Sequence, residues 1–282
     1  MLNDKIGVFK YLLWRNDKIW PKLSQEEQER ILRANKIYNN IRDDYKNPEL
    51  YGQGRVAGGE NWDAPDDRLA LVRGAIINEV LEAQKPKRLL EIGPGPGFYT
   101  RLICEKEYVQ EYIGIDIVQP FLDYLKPRLD NLKTQKNNFA FRLICDDFMN
   151  LSYANHFDLI VLISTAHHIP NRMDLFFKLS GFLKKGGLIL CIDPSHYWRR
   201  KLHLLRNIRL YLKKSYYSKP ENLGTHHMCS FEEYKKLSSK NGMIIEKEWH
   251  ILPKKLMKNK VLVGHSWFRR LSSESAILLK KI

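Results

Sequence analysis

Three glycines alternate with prolines in Gly93-Pro94-Gly95-Pro96-Gly97, directly behind Glu91 and the apolar residues Leu89 and Leu90. A glycine-rich turn between a strand and a helix lets backbone approach a ligand without a Cβ in the way. The dinucleotide pattern G-x-G-x-x-G counted from Gly93 needs glycine at position 98, where Phe98 stands, and no G-K-[ST] phosphate loop is present. Glu91 decides between ligand classes. A carboxylate at the strand end suits a cationic ligand and opposes a pyrophosphate. More carboxylates close the next two apolar runs: Asp116 follows Tyr112-Ile113-Gly114-Ile115, and Asp146-Asp147-Phe148 follows 139–145.

A second group suits proton transfer. His167 and His168 follow the apolar run 157–163 and Ser164. An imidazole near its ordinary pKa accepts a proton at neutral pH, so either histidine is a candidate general base. His226-His227 is a further pair, in a segment that would reach the pocket only as a lid. No two histidines stand at i,i+4 with a carboxylate partner, and the fifth apolar run ends in Asp193-Pro194 rather than Asp-Asn, so no metal is expected. None of the four cysteines forms a C-x-x-C pair, and three sit inside apolar runs, where free cysteine packs as a small buried hydrophobe. That usage predicts a reduced, cytoplasmic chain.

The elements that must position these groups alternate. Strands are predicted at 88–92, 112–116, 139–145, 157–163, 187–192 and 243–251, with a seventh over 275–281 at the C-terminal edge of the sheet. Helices are predicted from 65 to 84, from 98 to 104, over 120–132 and over 171–183. The last of these has Lys184-Lys185 at its end and Gly186-Gly187 as its breaker. Ser230-Phe231-Glu232-Glu233 reads as a capping box for another helix that Gly242 closes. This succession predicts an α/β fold with a doubly wound, mostly parallel, seven-stranded sheet. Residues 1–62 read as an N-terminal helical extension or cap. Within it, Ser24-Gln25-Glu26-Glu27 is a capping box opening a helix to about residue 45, and Tyr51 and Trp62 lie beside glycines as candidate pocket contacts. Residues 63–282 form the main domain, interrupted by a helical insertion at 195–229 after the fifth strand.

Leu90-Glu91-Ile92-Gly93-Pro94-Gly95-Pro96-Gly97 resembles the first motif of the class I S-adenosylmethionine-dependent methyltransferases, a Rossmann-like fold. The stretch from Phe157 through Ala166-His167-His168-Ile169 to Leu183-Lys184-Lys185-Gly186-Gly187 is similar to the type-11 branch, whose members often methylate small molecules and quinones. The resemblance covers about 87–194, and more loosely 230–281. It implies S-adenosyl-L-methionine as cofactor and places Glu91, Gly93, Gly95 and Gly97 around it. Asp116 would accept both ribose hydroxyls, with Ile117 beside it. Asp147-Phe148, or the adjacent Asp146, would meet the adenine, and Ser164, after the fourth strand, is a further candidate cofactor contact. The implied reaction is methyl transfer to oxygen, carbon or nitrogen of a small-molecule acceptor, with His168 or His167 as base.

Lys plus Arg outnumber Asp plus Glu by 47 to 32, a net charge of +15, which attracts anionic partners. The insertion concentrates this charge. Residues 197–214 set Trp198, Leu202, Leu205, Ile208 and Leu212 at helical spacing, and Arg199, Arg200, Lys201, Arg206, Arg209, Lys213 and Lys214 surround them. That pattern fits a lid over the cofactor domain or, as the alternative, an anionic membrane surface reached by a peripheral enzyme acting on a lipid, glycolipid or quinone. Nucleic acid is disfavoured as a partner. Base-specific amino-methyltransferases carry Asp/Asn-Pro-Pro-aromatic after the fourth strand, where this chain has Ser164-Thr165-Ala166-His167, and no cysteine follows a proline.

Overall fold

The computed structural model describes residues 22–29, 32, 68–169, 171–194, 231–252, 261–263, 272 and 274–282. The glycine-rich loop at 51–62, Tyr51, Trp62, the basic segment 197–214, His226-His227, Ser230 and most of the 24–45 helix lie outside the described residues. The Ser24 capping box is formed. The Glu27 amide donates to Ser24 Oγ at 3.2 Å, and the Ser24 amide donates to Glu27 Oε2 at 2.8 Å.

The main domain opens with α1 (Arg68–Gln84) and β1 (Arg88–Ile92), followed by α2 (Phe98–Cys104), β2 (Glu111–Asp116), α3 (Gln119–Gln135) and β3 (Ala140–Cys145). A 3-10 turn (Phe148–Asn150) leads to β4 (Phe157–Ile163), a second 3-10 turn (Ala166–His168), α4 (Arg172–Phe182) and β5 (Leu183–Pro194). Beyond the insertion come α5 (Phe231–Lys240), β6 (Met243–Ile251), β7 (Val261–Val263) and β8 (Glu274–Lys281). The strands form one sheet in the order β3-β2-β1-β4-β5-β8-β6-β7. Strands β1 to β5 are mutually parallel, whereas β8 runs antiparallel to both β5 and β6.

Alternation along the strands sends apolar side chains to both faces, as a covered parallel sheet requires. Leu89, Val161 and Leu190 meet Ile77, Leu81, Ile103 and Leu125 of α1, α2 and α3 on one face. Leu90, Ile160, Leu162 and Ile189 meet Phe176 and Leu179 of α4 and Tyr234 and Leu237 of α5 on the other. The chain runs outward from β1 to β3, then returns to place β4 on the opposite side of β1. The crevice at that switch point is where open α/β sheets bind ligands. The end of α2 is held by Lys136, whose ammonium donates to the carbonyls of Cys104, Lys106 and Val109 at 2.8, 2.6 and 3.3 Å.

Three details differ from the sequence expectation. The seven expected strands are present, but 275–281 does not form the edge. It enters between β5 and β6 as β8, where Ala276-Ile277-Leu278-Leu279 are buried on both faces, and the three-residue β7 adds an eighth strand outside β6. An uninterrupted apolar run belongs inside a sheet, not at its rim. Next, α4 stops at Phe182, and Lys184-Lys185 belong to β5 rather than to the helix end. Leu183 pairs with Phe157, Lys184 Nζ lies 2.6 Å from Asp158 Oδ1, and the register slips between Phe157 and Leu159. Gly187 sits where a Cβ would fall 2.9 Å from the Lys184 carbonyl, so the glycines serve a bulge and do not end the helix. Finally, Cys104 and Cys191 are buried, but Cys145 is exposed, because β3 is the uncovered first strand of the sheet. No helix among the described residues is long and apolar enough to cross a membrane.

Candidate active site

The first strand ends in a loop whose backbone favours glycine. Gly93, Gly95 and Gly97 all have left-handed backbone, with φ of 71°, 55° and 90°. The Gly93 amide donates to the Ile115 carbonyl at 2.8 Å, which extends the β1–β2 ladder one residue past the strand. A Cβ on Gly93 would lie 2.6 Å from Thr165 Oγ1, so the loops after β1 and β4 touch there. Thr165 is fixed in turn by donating to the Ile163 carbonyl at 3.0 Å. A Cβ on Gly95 would meet nothing within 4 Å: beside this residue the loop borders open space. Gly93→Ala is expected to destabilise the fold by about 1–3 kcal/mol through clash and backbone strain. Adding Thr165→Ala should recover part of that loss, and urea unfolding of the single and double variants measures both.

Asp116 ties the loop to β2. Its Oδ2 accepts from the Gly95 amide at 3.1 Å and its Oδ1 from the Val118 amide at 3.0 Å. Each oxygen keeps a lone pair for a ligand hydroxyl. Burial lifts the Asp116 carboxyl to about 6, against the lowering effect of the Val118, Gly95 and Ile117 amides. The next residue, Ile117, leaves 46% of its surface exposed, an apolar surface directly after the end of β2.

Glu91 is at the strand end, as expected, but its carboxylate is fully buried on the α2 face. Its Oε2 accepts from Thr100 Oγ1 at 2.8 Å and Tyr112 Oη at 2.7 Å. Gly114, opposite Glu91 in the ladder, makes room for this arrangement, since a Cβ there would fall 2.8 Å from the Tyr112 hydroxyl. Burial lifts the Glu91 carboxyl to about 7. The bonds from Tyr112 and Thr100 oppose the rise and the nearby Asp116 adds to it. Glu91 therefore braces α2 against β2 from beneath the loop, and any action on a ligand is through its charge.

The residues after β3 sit at the same end of the sheet. Asp147 Oδ1 caps the 3-10 turn by accepting from the Met149 amide at 2.9 Å. Asp146 Oδ1 accepts from the Asp147 amide and from Asn150 Nδ2, both at 2.7 Å. Both carboxylates are exposed and each has an oxygen to spare, so both stay candidates. The Phe148 side chain is buried in the core with Ile113 and Ile115, while Met149 is 39% exposed, an apolar residue the sequence reading overlooked. Ser164 bonds its amide to the Ile192 carbonyl at 2.8 Å and takes a left-handed φ of 52°, unusual for a non-glycine residue and concentrated at functional sites.

The two histidines follow on the second 3-10 turn, their ring centroids 4.0 Å apart. His167 is buried, with Nδ1 2.9 Å from Asp193 Oδ1 at the end of β5, and His168 is half-buried. Tyr234 of α5 donates its hydroxyl to Asp193 Oδ2 at 3.0 Å. Burial lifts the Asp193 carboxyl to about 6, although Arg172, Tyr234, His168 and Arg73 pull it down. Asp193 appeared in the sequence only as the residue that argued against a metal, and Tyr234 not at all. A carboxylate closing an apolar strand was the one available signal. Among the described residues, no three His, Cys, Asp or Glu side chains cluster to hold a metal ion.

The loops after β1, β2, β3 and β4 thus touch one another at the carboxyl ends of the strands, in a sheet of doubly wound order. Residues 90–191 match the family described as "Methyltransferase domain", type 11. The chain is 30% identical over 128 residues to malonyl-[acyl-carrier protein] O-methyltransferase 2 of Ilyobacter polytropus, covering 44% of this chain and 47% of that protein. It is 27% identical over 115 residues to trans-aconitate 2-methyltransferase of Rhizobium rhizogenes, covering 39% and 41%. Each match spans less than half of the relative's length. Among solved structures, a cyclopropane synthase from Mycobacterium tuberculosis has the same fold, with a TM-score of 0.61 at 15% identity over 88% of this chain and 98% of that one. Residues 90–191 are thus similar to a methyltransferase domain, and they span β1 to β5 of the sheet.

Proposed function

We propose that the protein transfers a methyl group from S-adenosylmethionine to oxygen, carbon or nitrogen of a small-molecule metabolite. The observation that carries this reading is the left-handed Gly93-Gly95-Gly97 loop, held open at the switch point by the Gly95–Asp116 bond. The residues fit the cofactor. Open space beside Gly95 admits it, and the spare lone pairs of Asp116 suit ribose hydroxyls. Ile117 offers an apolar contact for a base, Asp147 or Asp146 a hydrogen-bond acceptor for its amino group, and the Glu91 charge a partner for a cation. Bound there, S-adenosylmethionine supplies a methyl group already activated by its sulfonium. The chain then has to align the acceptor and exclude water, and where the nucleophile bears a proton, His167 or His168 takes it. The two curated relatives are named for a malonyl group and for trans-aconitate, both anionic acceptors, and a net charge of +15 attracts an acceptor of that sign.

Calorimetry with S-adenosylmethionine, S-adenosylhomocysteine and NAD tests the reading. Micromolar binding of the first two and none of NAD is expected, whereas failure of both adenosyl ligands would overturn it. Asp116→Ala removes the ribose acceptor and the tether on Gly95 together. Its expected cost is roughly 1.5–3 kcal/mol in cofactor affinity. An unchanged affinity in the folded variant would show that Asp116 does not hold the ligand.

A further inference from the structure

Asp193 lies at the C-terminal end of β5, one strand beyond the crevice, and is 1% exposed. Burying a carboxylate so completely is costly unless its environment repays it, and the groups around Asp193 come from every neighbouring element. His167 and His168 face it from the turn after β4, Arg172 from the start of α4, Tyr234 from α5, Cys191 from its own strand, and Arg73 from α1. Ser275 is its partner on β8, and Ser275 Oγ lies 3.2 Å from His250 Nδ1 of β6. Two of these contacts have direct hydrogen-bond geometry to separate carboxylate oxygens: His167 Nδ1 on Oδ1 and the Tyr234 hydroxyl on Oδ2. Tyr234 is itself locked, its ring edge-on to Phe176 with centroids 5.9 Å apart and its oxygen 3.8 Å from Cys191 Sγ.

We propose that Tyr234 and Asp193 are positioning residues that hold His167 in its Nδ1–H form, making Nε2 the atom that accepts the methyl acceptor's proton. The proposal rests on the methyltransferase reading and deepens it, because it selects acceptors that surrender a proton: a hydroxyl, an amine or an acidic C–H. Tyr234 fixes the rotamer of Asp193, and the carboxylate fixes the tautomer and orientation of the imidazole. As the acceptor atom takes the methyl group, sulfur keeps the C–S electron pair and the acceptor's proton passes to Nε2. The resulting imidazolium is stabilised by the Asp193 charge, and Asp193 stays ionised throughout. A carboxylate acceptor would need no such base, so the relay separates the two kinds of substrate.

The test is nitrogen-15 NMR of the full chain labelled at histidine, with His167→Gln assigning the resonance. In the wild type, neutral His167 should be protonated on Nδ1. Asp193→Asn should remove that tautomer and move the His167 titration to lower pH. Tyr234→Phe, which leaves the carboxylate in place but frees its rotamer, should weaken the Nδ1–H preference of neutral His167, and it decides the matter if Asp193→Asn does not fold. Methyl incorporation from labelled S-adenosylmethionine into a small-molecule cell extract should fall roughly 10²-fold in Asp193→Asn and lose its acid limb in His167→Gln. An Nε2–H tautomer in the wild type would overturn the proposal, as would a His167 titration that Asp193→Asn does not displace or a tautomer that Tyr234→Phe leaves unchanged. Equal incorporation by wild type and Asp193→Asn would also overturn it. Failure of the cofactor reading shows separately, as absent S-adenosylhomocysteine binding in calorimetry with the tautomer readout intact.

Discussion

Arg73→Ala is expected to cost about 3–5 kcal/mol of folding stability, because it strands a buried carboxylate. The Arg73 guanidinium meets Glu274 through two parallel bonds, Nε to Oε2 at 2.9 Å and Nη2 to Oε1 at 2.5 Å, and its Nη1 reaches the Tyr99 hydroxyl at 3.4 Å. Both side chains are less than a tenth exposed. The pair joins α1 to the start of β8, beside Pro194 at the end of β5, and Tyr99 brings in the first turn of α2. It therefore clamps the elements that flank the crevice. A buried ion pair is weak evidence for net stability, since desolvation offsets most of the attraction. The double variant Arg73→Met with Glu274→Leu should accordingly be close to neutral, or more stable than the wild type. Urea denaturation of the two variants checks both statements. A single variant within 1 kcal/mol of the wild type would mean that Glu274 finds another partner or reaches water.

The relation between sequence and structure has the same logic. What depends on neighbours in the chain was legible: the three glycines, Asp116 at its strand end, the Ser24 capping box, and the parallel strands. Each is a local pattern whose physical requirement lies within a few residues. What depends on distant partners was not legible. Arg73 and Glu274 are 201 positions apart, Asp193 and Tyr234 are 41 apart, and Asp193 and His167 are 26 apart. No periodicity encodes such pairs. The same limit explains β8. Its apolar run announces a strand, but sequence order does not give sheet order, and only the burial of both faces shows that it belongs between β5 and β6.

Glu91 illustrates a subtler gap. Its type and spacing marked it as an electrostatic partner for a cation, yet strand parity already assigned its side chain. Leu90 and Ile92 face α4, so Leu89 and Glu91 face α1 and α2. On that face it meets Thr100 and Tyr112, which become a local necessity once the carboxylate is placed there. The site and the core therefore share this residue, and its substitution has opposite effects on the two.

Glu91→Gln should raise the stability of the ligand-free protein by up to about 3 kcal/mol at pH 8 and leave it nearly unchanged at pH 4. The amide oxygen of glutamine still accepts from Thr100 and Tyr112, so the change removes mainly the buried charge. Burial lifts the Glu91 carboxyl from its ordinary 4.5 to about 7, so the folded state binds its proton more tightly than the unfolded state does. Stability then falls as pH rises through the interval from 4.5 to about 7, and above it the full cost of the buried anion is present, at 1.36 kcal/mol for each tenfold difference in proton affinity. Asp116 and Asp193, both lifted by burial to about 6, act in the same direction at slightly lower pH. The ligand-free wild type should therefore melt at a lower temperature at pH 8 than at pH 5.5, and Glu91→Gln should flatten that slope. A cationic ligand above the loop offsets the cost that the variant removes. Glu91→Gln should consequently weaken S-adenosylmethionine, which carries the sulfonium charge, by on the order of 1 kcal/mol relative to uncharged-sulfur S-adenosylhomocysteine. Melting curves across pH and calorimetry with the two ligands measure the opposing effects in one variant. Equal weakening of both ligands would show that Glu91 supports the loop mechanically and contributes nothing through its charge.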